Sequence, residues 1–221
     1  MTEQYTDNQH LIINVGRQIG SGGRIIARRL ADEFGCRFFD REVLDLAACE
    51  SGISQQFFEQ SDEQRGFFRS LFHLHAPHIG DNNFYADSIS QESLFKLQSD
   101  AIRKAASESS CVFVGRCADY VLRDFTNVVN IFITADMEQR VERLCERNAC
   151  DTTTACKLIA NGERQRSSYY QFYTGKRWGH SESYDLCINS SLLGLVEPIG
   201  FISDFLRKKI QTSPHPMTTS E

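Results

Sequence analysis

Residues 16–24 read Gly16-Arg17-Gln18-Ile19-Gly20-Ser21-Gly22-Gly23-Arg24, and this glycine-rich stretch decides the fold. The apolar run Leu11-Ile12-Ile13-Asn14-Val15 precedes it, and the helical pattern Ile25-Ile26-Ala27-Arg28-Arg29-Leu30 follows it. A strand, a glycine-rich turn and a helix in this order form an anion site, because the turn and the helix N-terminus point backbone N–H groups at the ligand. The stretch therefore predicts a phosphate loop after the first strand.

The predicted phosphate loop lacks the lysine of a standard nucleotide-triphosphate loop. In the pattern Gly-x-x-x-x-Gly-Lys-Ser/Thr, Gly23 and Arg24 stand at the positions of the lysine and the hydroxyl residue. Two hypotheses for Arg24 stay open. Either it partly replaces the lysine, or it is a solvated residue in the first helical turn, where a cation is unfavourable unless an anion binds beside it.

The glycine spacing is also compatible with two other structures. Gly16-x-x-x-Gly20-x-Gly22 is typical of short-chain dehydrogenases, in which Asp40 could hold a ribose hydroxyl. Those enzymes use a Tyr-x-x-x-Lys pair, and no lysine of this sequence has a tyrosine four residues before it. A plain tight turn needs only one or two glycines, and each further glycine costs chain entropy on folding. We therefore keep the phosphate loop as the prediction.

The composition is typical of one globular domain. The chain has 221 residues, of which 41% are hydrophobic, and a net charge of −5, which argues against a nucleic-acid polymer as partner. No apolar run approaches the ~20 residues of a membrane-spanning helix, so we expect no membrane partner. The 8 cysteines include no Cys-x-x-Cys pair, which favours free thiols and a cytoplasmic protein.

Short apolar runs alternate with helical patterns, which predicts a parallel α/β sheet with helices on both faces. We predict strands at 11–15, 37–39, 111–114, 128–133 and 185–188, and helices at 23–34, 41–50, 92–107, 117–123, 137–148, 153–172 and 195–209. One domain over 11–210 follows, with a helical insertion at 52–91 and disordered ends at 1–10 and 211–221. His73, His75 and His78 have a spacing that a metal could use, but no cysteine completes the set. We interpret them as a solvated loop and assign no metal ligand.

Ligands of parallel sheets bind at the carboxyl ends of the strands, where Arg116 and Asp40 lie. Arg116 either binds a phosphate or pairs with Asp119 or Asp40. Asp40 could orient a substrate, bind magnesium through water, or cap a helix that starts at Arg41. Phosphoryl transfer needs positive charge on the phosphate oxygens, and arginine supplies a bidentate fork. The candidates are Arg17, Arg24, Arg116, Arg140, Arg143, Arg164 and Arg166.

Several motifs at ordered spacing resemble one family. They are residues 16–30, Phe38-Phe39-Asp40-Arg41-Glu42, Val112-Phe113-Val114-Gly115-Arg116-Cys117-Ala118-Asp119, Phe132–Val141, Glu163–Tyr170 and Tyr184–Asn189. Together they resemble the cytidylate kinase-like branch of the P-loop nucleoside monophosphate kinases over roughly residues 11–209.

The resemblance implies a P-loop NTPase-like three-layer sandwich with a five-stranded parallel sheet, an acceptor-side insertion and a lid at 149–180. It implies a kinase that moves the γ-phosphoryl group of ATP, with Mg²⁺, to a nucleoside monophosphate, CMP or dCMP. The implied ATP-binding residues are Arg17, Gly20, Ser21, Gly22, Gly23, Arg24 and Ile25. The implied substrate-binding residues are Asp40 and Arg116, and the implied catalytic residues are Arg24, Arg116, Arg164 and Arg166.

The sequence departs from the cytidylate kinases proper in the loop and in the lid, which lacks the aspartates that those enzymes interleave with arginines. Those enzymes carry Gly-Lys-Gly-Thr where this chain has Gly22-Gly23-Arg24-Ile25. The alternative function is therefore a nucleotide-binding regulatory or interaction protein with weak or no kinase activity. Arg164 and Arg166 diverge by about 200° on a continuous helix, so both reach one ligand only if the helix breaks. The aromatic residues Tyr169, Tyr170, Phe172, Tyr173 and Trp178 either pack in the core or stack on a nucleobase.

Overall fold

The computed structural model describes residues 10–41, 91–192 and 194–212, and in them a parallel sheet carries helices on both faces. The elements are β1 Ile12–Arg17, α1 Gly23–Glu33, β2 Arg37–Phe39, α2 Gln91–Glu108, β3 Cys111–Val114, α3 Ala118–Val121, β4 Val128–Thr134, α4 Met137–Asn148, α5 Thr152–Thr174, β5 Leu186–Asn189 and α6 Glu197–Thr212. The five strands lie in the order β2-β3-β1-β4-β5, and every neighbouring pair is parallel. The predicted α/β fold with a five-stranded parallel sheet is confirmed.

The sheet is buried on both faces because its central strands β1, β3 and β4 are apolar at most positions rather than only at alternate ones. In β1, Ile13 and Val15 pack with residues of α1 and α6. The neighbouring Ile12 points to the opposite face and packs with residues of α2 and α3. The result is the three-layer sandwich that the sequence predicts, with β1 at its centre.

The strand order creates a crevice at the carboxyl ends of the strands. The chain leaves β1 past β3 to reach β2, whereas it leaves β3 past β1 to reach β4. These two connections run in opposite directions from adjacent strands, and ligands of open α/β sheets bind at such a switch point. The phosphate loop after β1 and the turn after β3 both lie there.

A helical pair closes the crevice on one side. In a separate apolar cluster, Leu144 of α4 packs against Ala155 and Ile159 of α5, and Ile19 of the loop packs against the same cluster. The helix α5 is continuous over 23 residues. Gly162 in the middle of α5 leaves room for the loop, since a Cβ there would lie 2.1 Å from Cδ1 of Ile19.

Several predictions fall wholly or mostly outside the described residues. They are the helix after Arg41, the insertion at 52–91, the three histidines and the end residues 1–9 and 213–221. The domain limits therefore stay predictions, and the assignment of the described residues 149–180 as a lid also stays a prediction. The described cysteines are all free. Among the described helices, none is both long enough and apolar enough to cross a bilayer.

Candidate functional site

A cavity of about 400 Å³ opens at the carboxyl ends of β1 and β3. The turn after β3 forms one wall, and α5 forms another. The lining side chains divide into a cationic end and an aromatic end. The cationic end comprises Arg17, Arg116, Arg166 and the exposed Arg41, and the aromatic end comprises Tyr170, Trp178 and Tyr184 together with Asp119, whereas the ring of Tyr169 lies beside the guanidinium of Arg116.

Three arginines from three different elements meet at the cationic end. Arg17 is the last residue of β1, Arg116 follows β3, and Arg166 lies on α5. Burial, together with the charges of Arg166 and Arg116, lowers the pKa of Arg17 to about 9. Burial also lowers the pKa of Arg166. Both guanidinium groups remain charged at neutral pH, so this end of the cavity holds concentrated positive charge that an anion would stabilise.

The turn after β3 is built from residues in left-handed backbone conformations. Gly115 has φ 80°, Arg116 has φ 59° and Cys117 has φ 54°. For a residue with a side chain this conformation costs roughly 1–2 kcal/mol. Strain of this kind concentrates at functional sites, and here it places Arg116 on the wall of the cavity.

The front of the phosphate loop offers backbone N–H groups. Gly20 and Gly22 have φ of 79° and 76°, which an ordinary side chain would resist. Gly22 caps α1 without a side-chain hydrogen bond. Within the described part of the chain, the N–H groups of Gly22 and Gly23 have no hydrogen-bond acceptor. A helix N-terminus in this state is ready to bind an anion.

The back of the loop is held by charged side chains from α4 and α5. Arg140 donates from Nε to the carbonyl of Ile19 at 2.7 Å, and Arg143 donates to the carbonyl of Gly20 at 3.1 Å. Glu163 accepts from the N–H of Ile19 at 2.7 Å and pairs with Arg140 at 2.9 Å. In this structure Arg140 and Arg143 therefore bond loop carbonyls and do not line the cavity, although the sequence made them candidates for phosphate.

The remaining residues that the sequence predicts to bind ATP or substrate have surroundings of their own in the structure. Arg24 donates from Nε to Oδ2 of Asp40 at 2.9 Å and forms a second bond to the same oxygen. Asp40 is buried, whereas Arg24 is exposed. Ser21 is buried and donates its hydroxyl to the carbonyl of Gln18 at 2.9 Å, and Ile25 is exposed in the first turn of α1. Their predicted roles in binding ATP or substrate stay predictions.

The two lid arginines have different surroundings. Because α5 is unbroken, Arg164 and Arg166 point in different directions. Arg166 lines the cavity and donates to the carbonyl of Arg17 at 2.8 Å. Arg164 is exposed and is not among the cavity residues. The structure thus brings Arg166 to the other predicted arginines and leaves Arg164 apart from them.

A buried hydrogen bond marks the aromatic end of the cavity. The hydroxyl of Tyr170 donates to Oδ2 of Asp119 at 2.6 Å. Burial raises the pKa of Asp119, although the bond from Tyr170 opposes the rise. Burial and the Asp119 carboxylate raise the pKa of Tyr170. Because the Tyr170 proton is already donated to Asp119, this pair offers acceptor oxygens to the N–H groups of a polar ring.

The aromatic cluster after the lid arginines divides between the cavity and the surface. Tyr169 and Tyr170 line the cavity, and the guanidinium of Arg116 lies 5.6 Å from the ring centre of Tyr169. Tyr173 stacks on Phe95 with ring centres 3.8 Å apart. Phe172 is 70% exposed. Packing therefore describes Tyr173, whereas stacking of Tyr169 or Tyr170 on a nucleobase stays a prediction.

The sequence reasoning missed two groups that shape the site. Glu163 stands in a motif that was quoted for its arginines, yet it is the residue that joins α5 to the loop. Tyr184 lies just before β5 and reaches the cavity, and its ring centre lies 4.8 Å from that of Phe132. No local pattern identifies either role, because both depend on contacts with distant parts of the chain.

Comparison with known proteins agrees with this geometry. A family model described as the cytidylate kinase-like family matches residues 12–192, which include the loop, the turn after β3 and α5. The chain belongs to the cytidylate kinase-like family. The resemblance inferred from the motifs is therefore confirmed, and the family supports a nucleotide kinase-like function.

Distant relatives and fold neighbours of this family member include the following three proteins. A cytidylate kinase of Methanopyrus kandleri is 24% identical over 189 residues, which cover 82% of this chain and 85% of that protein. The crystal structure of an uncharacterized protein from Eubacterium ventriosum is 26% identical, with a TM-score of 0.68 over 90% of this chain and 99% of that chain. A shikimate kinase from Bacteroides thetaiotaomicron, 11% identical with a TM-score of 0.51 over 89% of this chain and 98% of its own, shares the fold.

Proposed function

We propose that the protein transfers the γ-phosphoryl group of ATP to a nucleoside monophosphate, with CMP or dCMP as the first candidates. The observation that carries the proposal is the two-ended cavity beside the phosphate loop. Its cationic end suits an acceptor phosphate, and its aromatic end with Asp119 suits a polar ring. A nucleoside monophosphate has a phosphate group that suits the cationic end and a polar ring that suits the aromatic end.

The residues then divide the work of transfer. Arg116 and Arg166 bind the acceptor phosphate, whose oxygen attacks the γ-phosphorus. The N–H groups of Gly22 and Gly23 hold the donor phosphates at the N-terminus of α1. A new P–O bond forms to the acceptor, the bond from the γ-phosphorus to the β–γ bridging oxygen breaks, and ADP leaves with that electron pair. Positive charge around the moving group, rather than a base, lowers the barrier.

The loop suits the phosphates of ATP better than a protein-bound Mg²⁺. Where a standard loop presents a hydroxyl to the metal, this chain has Arg24 or Ile25, and the Ser21 hydroxyl already bonds the carbonyl of Gln18. No group of three or more metal-binding side chains occurs in the described residues. Family membership implies Mg²⁺ as the companion of ATP, whose phosphates and water would supply its ligands. We assign it no protein ligand.

A second function is favoured by one observation. Gly23 stands at the lysine position, and Arg24 at the next position bonds Asp40. A nucleotide-binding regulatory protein would need the anion site but not fast phosphoryl transfer.

The free thiols of the described cysteines support a cytoplasmic location for either function.

A panel of nucleoside monophosphates with ATP and Mg²⁺, read out as ADP formation, tests the proposal. We expect turnover with at least one pyrimidine monophosphate. In Arg116→Met, the KM of that acceptor should rise by roughly 10–100-fold, since a charged hydrogen bond is worth about 1.5–3 kcal/mol. Arg123→Met is the matched control, because Arg123 is half exposed, is not among the cavity residues and bonds the carbonyl of Tyr120. Nucleotide binding without turnover across the panel would leave the regulatory function instead.

A further inference from the structure

The place of the missing loop lysine is filled by another side chain. A Cβ built on Gly23 would lie 2.5 Å from Cβ of Arg17 and 3.1 Å from its Cγ. Gly23 has no positive φ, so its backbone alone would accept a lysine. The stem of Arg17, with a lesser contribution from Cβ of Ile133 at 3.3 Å, therefore keeps this position glycine, and it lies across the N-terminus of α1.

The same side chain continues to the far wall of the cavity. A Cβ built on Gly115 would lie 2.2 Å from Nη1 of Arg17 and 3.3 Å from its Cζ. The stem lies beside Gly23, next to the donor side, and the guanidinium lies beside Gly115, next to Arg116 on the acceptor side. Gly23 and Gly115 thus line a channel in which the Arg17 side chain extends from the donor phosphate site to the acceptor phosphate site.

The backbone of Arg17 is fixed from two directions. Arg17 pairs with Ile133 in the register of β1 and β4, and its carbonyl accepts the bond from Arg166. A charge held on a strand is placed more accurately than one on a mobile loop. Arg24, the cation next to Gly23 in the sequence, is directed to Asp40 by two bonds.

We propose that Arg17, and not Arg24, supplies the positive charge that a standard phosphate loop takes from its lysine, contacting the transferred phosphoryl group between donor and acceptor. The inference rests on the proposed function, since it names the cation for that reaction. It predicts that the charge comes from the strand before the loop, whereas the standard lysine stands at the helix after it.

Kinetics of single variants provide the first test. We expect kcat to fall by about 10²–10³-fold in Arg17→Met, the range for removing one preorganised group that stabilises transition-state charge. Arg17→Lys should keep more activity than Arg17→Met, because it retains a cation without the planar fork. Arg29→Met, at an exposed position of α1 outside the cavity, is the control for losing an arginine. A loss in Arg24→Met equal to or larger than that in Arg17→Met would overturn the assignment.

A double variant tests the exchange of position directly. Arg17→Gly removes the stem that blocks Gly23, so Gly23→Lys becomes possible in the same chain. We expect the kcat of Arg17→Gly/Gly23→Lys to be at least tenfold higher than the kcat of Arg17→Gly. Folding of each variant is checked by circular dichroism and thermal unfolding, and a well-folded double variant without recovery argues against the exchange.

Binding measurements keep this inference separate from the kinase proposal. Calorimetry with AMP-PNP and with ADP, both with Mg²⁺, measures the preference for a γ-phosphate. We expect the wild-type protein to prefer AMP-PNP and Arg17→Met to lose that preference, even if no acceptor is phosphorylated, in which case only the proposed function fails. An equal preference in both proteins, or none in the wild type, overturns the role of Arg17 whether or not the kinase activity exists.

Discussion

Replacing Glu163 with alanine should both destabilise the protein and loosen the phosphate loop. Glu163 accepts from the N–H of Ile19 at 2.7 Å and pairs with Arg140 at 2.9 Å. The Arg140 side chain is only 8% exposed, and that of Glu163 is 21% exposed. Removing the carboxylate leaves a buried guanidinium without its counter-charge and a loop N–H without its acceptor.

The size of the effect follows from these contacts. Breaking a buried ion pair by removing one partner costs about 3–5 kcal/mol. At about 2–4 °C per kcal/mol for a protein of this size, the midpoint of thermal unfolding should fall by roughly 10 °C. Glu163→Gln keeps an acceptor for Ile19 and loses only the charge, so we expect a loss of about 1–2 kcal/mol. Urea unfolding followed by circular dichroism measures both variants.

A double variant identifies the cause. In Glu163→Ala/Arg140→Met the buried charge is absent, so the double variant should be at least about 1 kcal/mol more stable than Glu163→Ala. If Glu163→Ala unfolds within about 1 kcal/mol of the wild type, the ion pair does not hold the loop. If the double variant is less stable than the single one, the explanation by an unpaired buried charge is wrong.

Three further predictions concern the loop, the aromatic end and the thiols. Gly20→Ala should cost about 1–3 kcal/mol more than Gly175→Ala in urea unfolding: both glycines have φ near +70° to +80°, but a Cβ on Gly20 meets the α4 backbone at 2.6 Å and one on Gly175 meets nothing within 4 Å; equal costs would contradict the tight contact. Burial raises the pKa of Asp119 above its ordinary 3.8, so the folded state binds the Asp119 proton more tightly than the unfolded state, and the contribution of Asp119 to stability falls as pH rises above 3.8. The unfolding midpoint of Asp119→Asn minus that of the wild type should therefore increase between pH 4 and pH 7. A difference that stays constant over this range would refute the raised pKa. Burial raises the pKa of Cys117 to about 12, so iodoacetamide at pH 8 should label the exposed Cys187 well before Cys117, as peptide mass spectrometry would show; faster labelling of Cys117 would contradict its burial.

The elements with sharp local boundaries could be predicted closely. The strands Arg37–Phe39 and Cys111–Val114 and the helix Met137–Asn148 begin and end where the sequence predicts. Each is an apolar or amphipathic run bounded by turn residues, so its limits are encoded locally. The first strand instead continues to Arg17, because Gly16 and Arg17 pair with Phe132 and Ile133 of β4. That pairing is invisible in the local pattern, which marks Gly16 as the start of a turn.

The candidate site was only partly predictable for a related reason. The rule that ligands bind at the carboxyl ends of parallel strands predicts from the sequence alone that Arg17 and Arg116 lie in one region. It could not separate Arg166 from Arg164, because that depends on whether α5 breaks. It also could not show that Arg24 turns to Asp40, because the direction of a long side chain depends on partners elsewhere in the fold.

The sequence by itself determined the class of fold, the order of its elements and the position of the glycine-rich loop. Those features depend on periodicity and on glycines whose backbone freedom is a local property. Only the tertiary structure decided which cations share the cavity, because Gly23 and Gly115 become the two sides of one channel for Arg17 only after β1 and β3 pair. The missing lysine is a local fact, whereas the side chain that fills its place is a product of packing between distant segments.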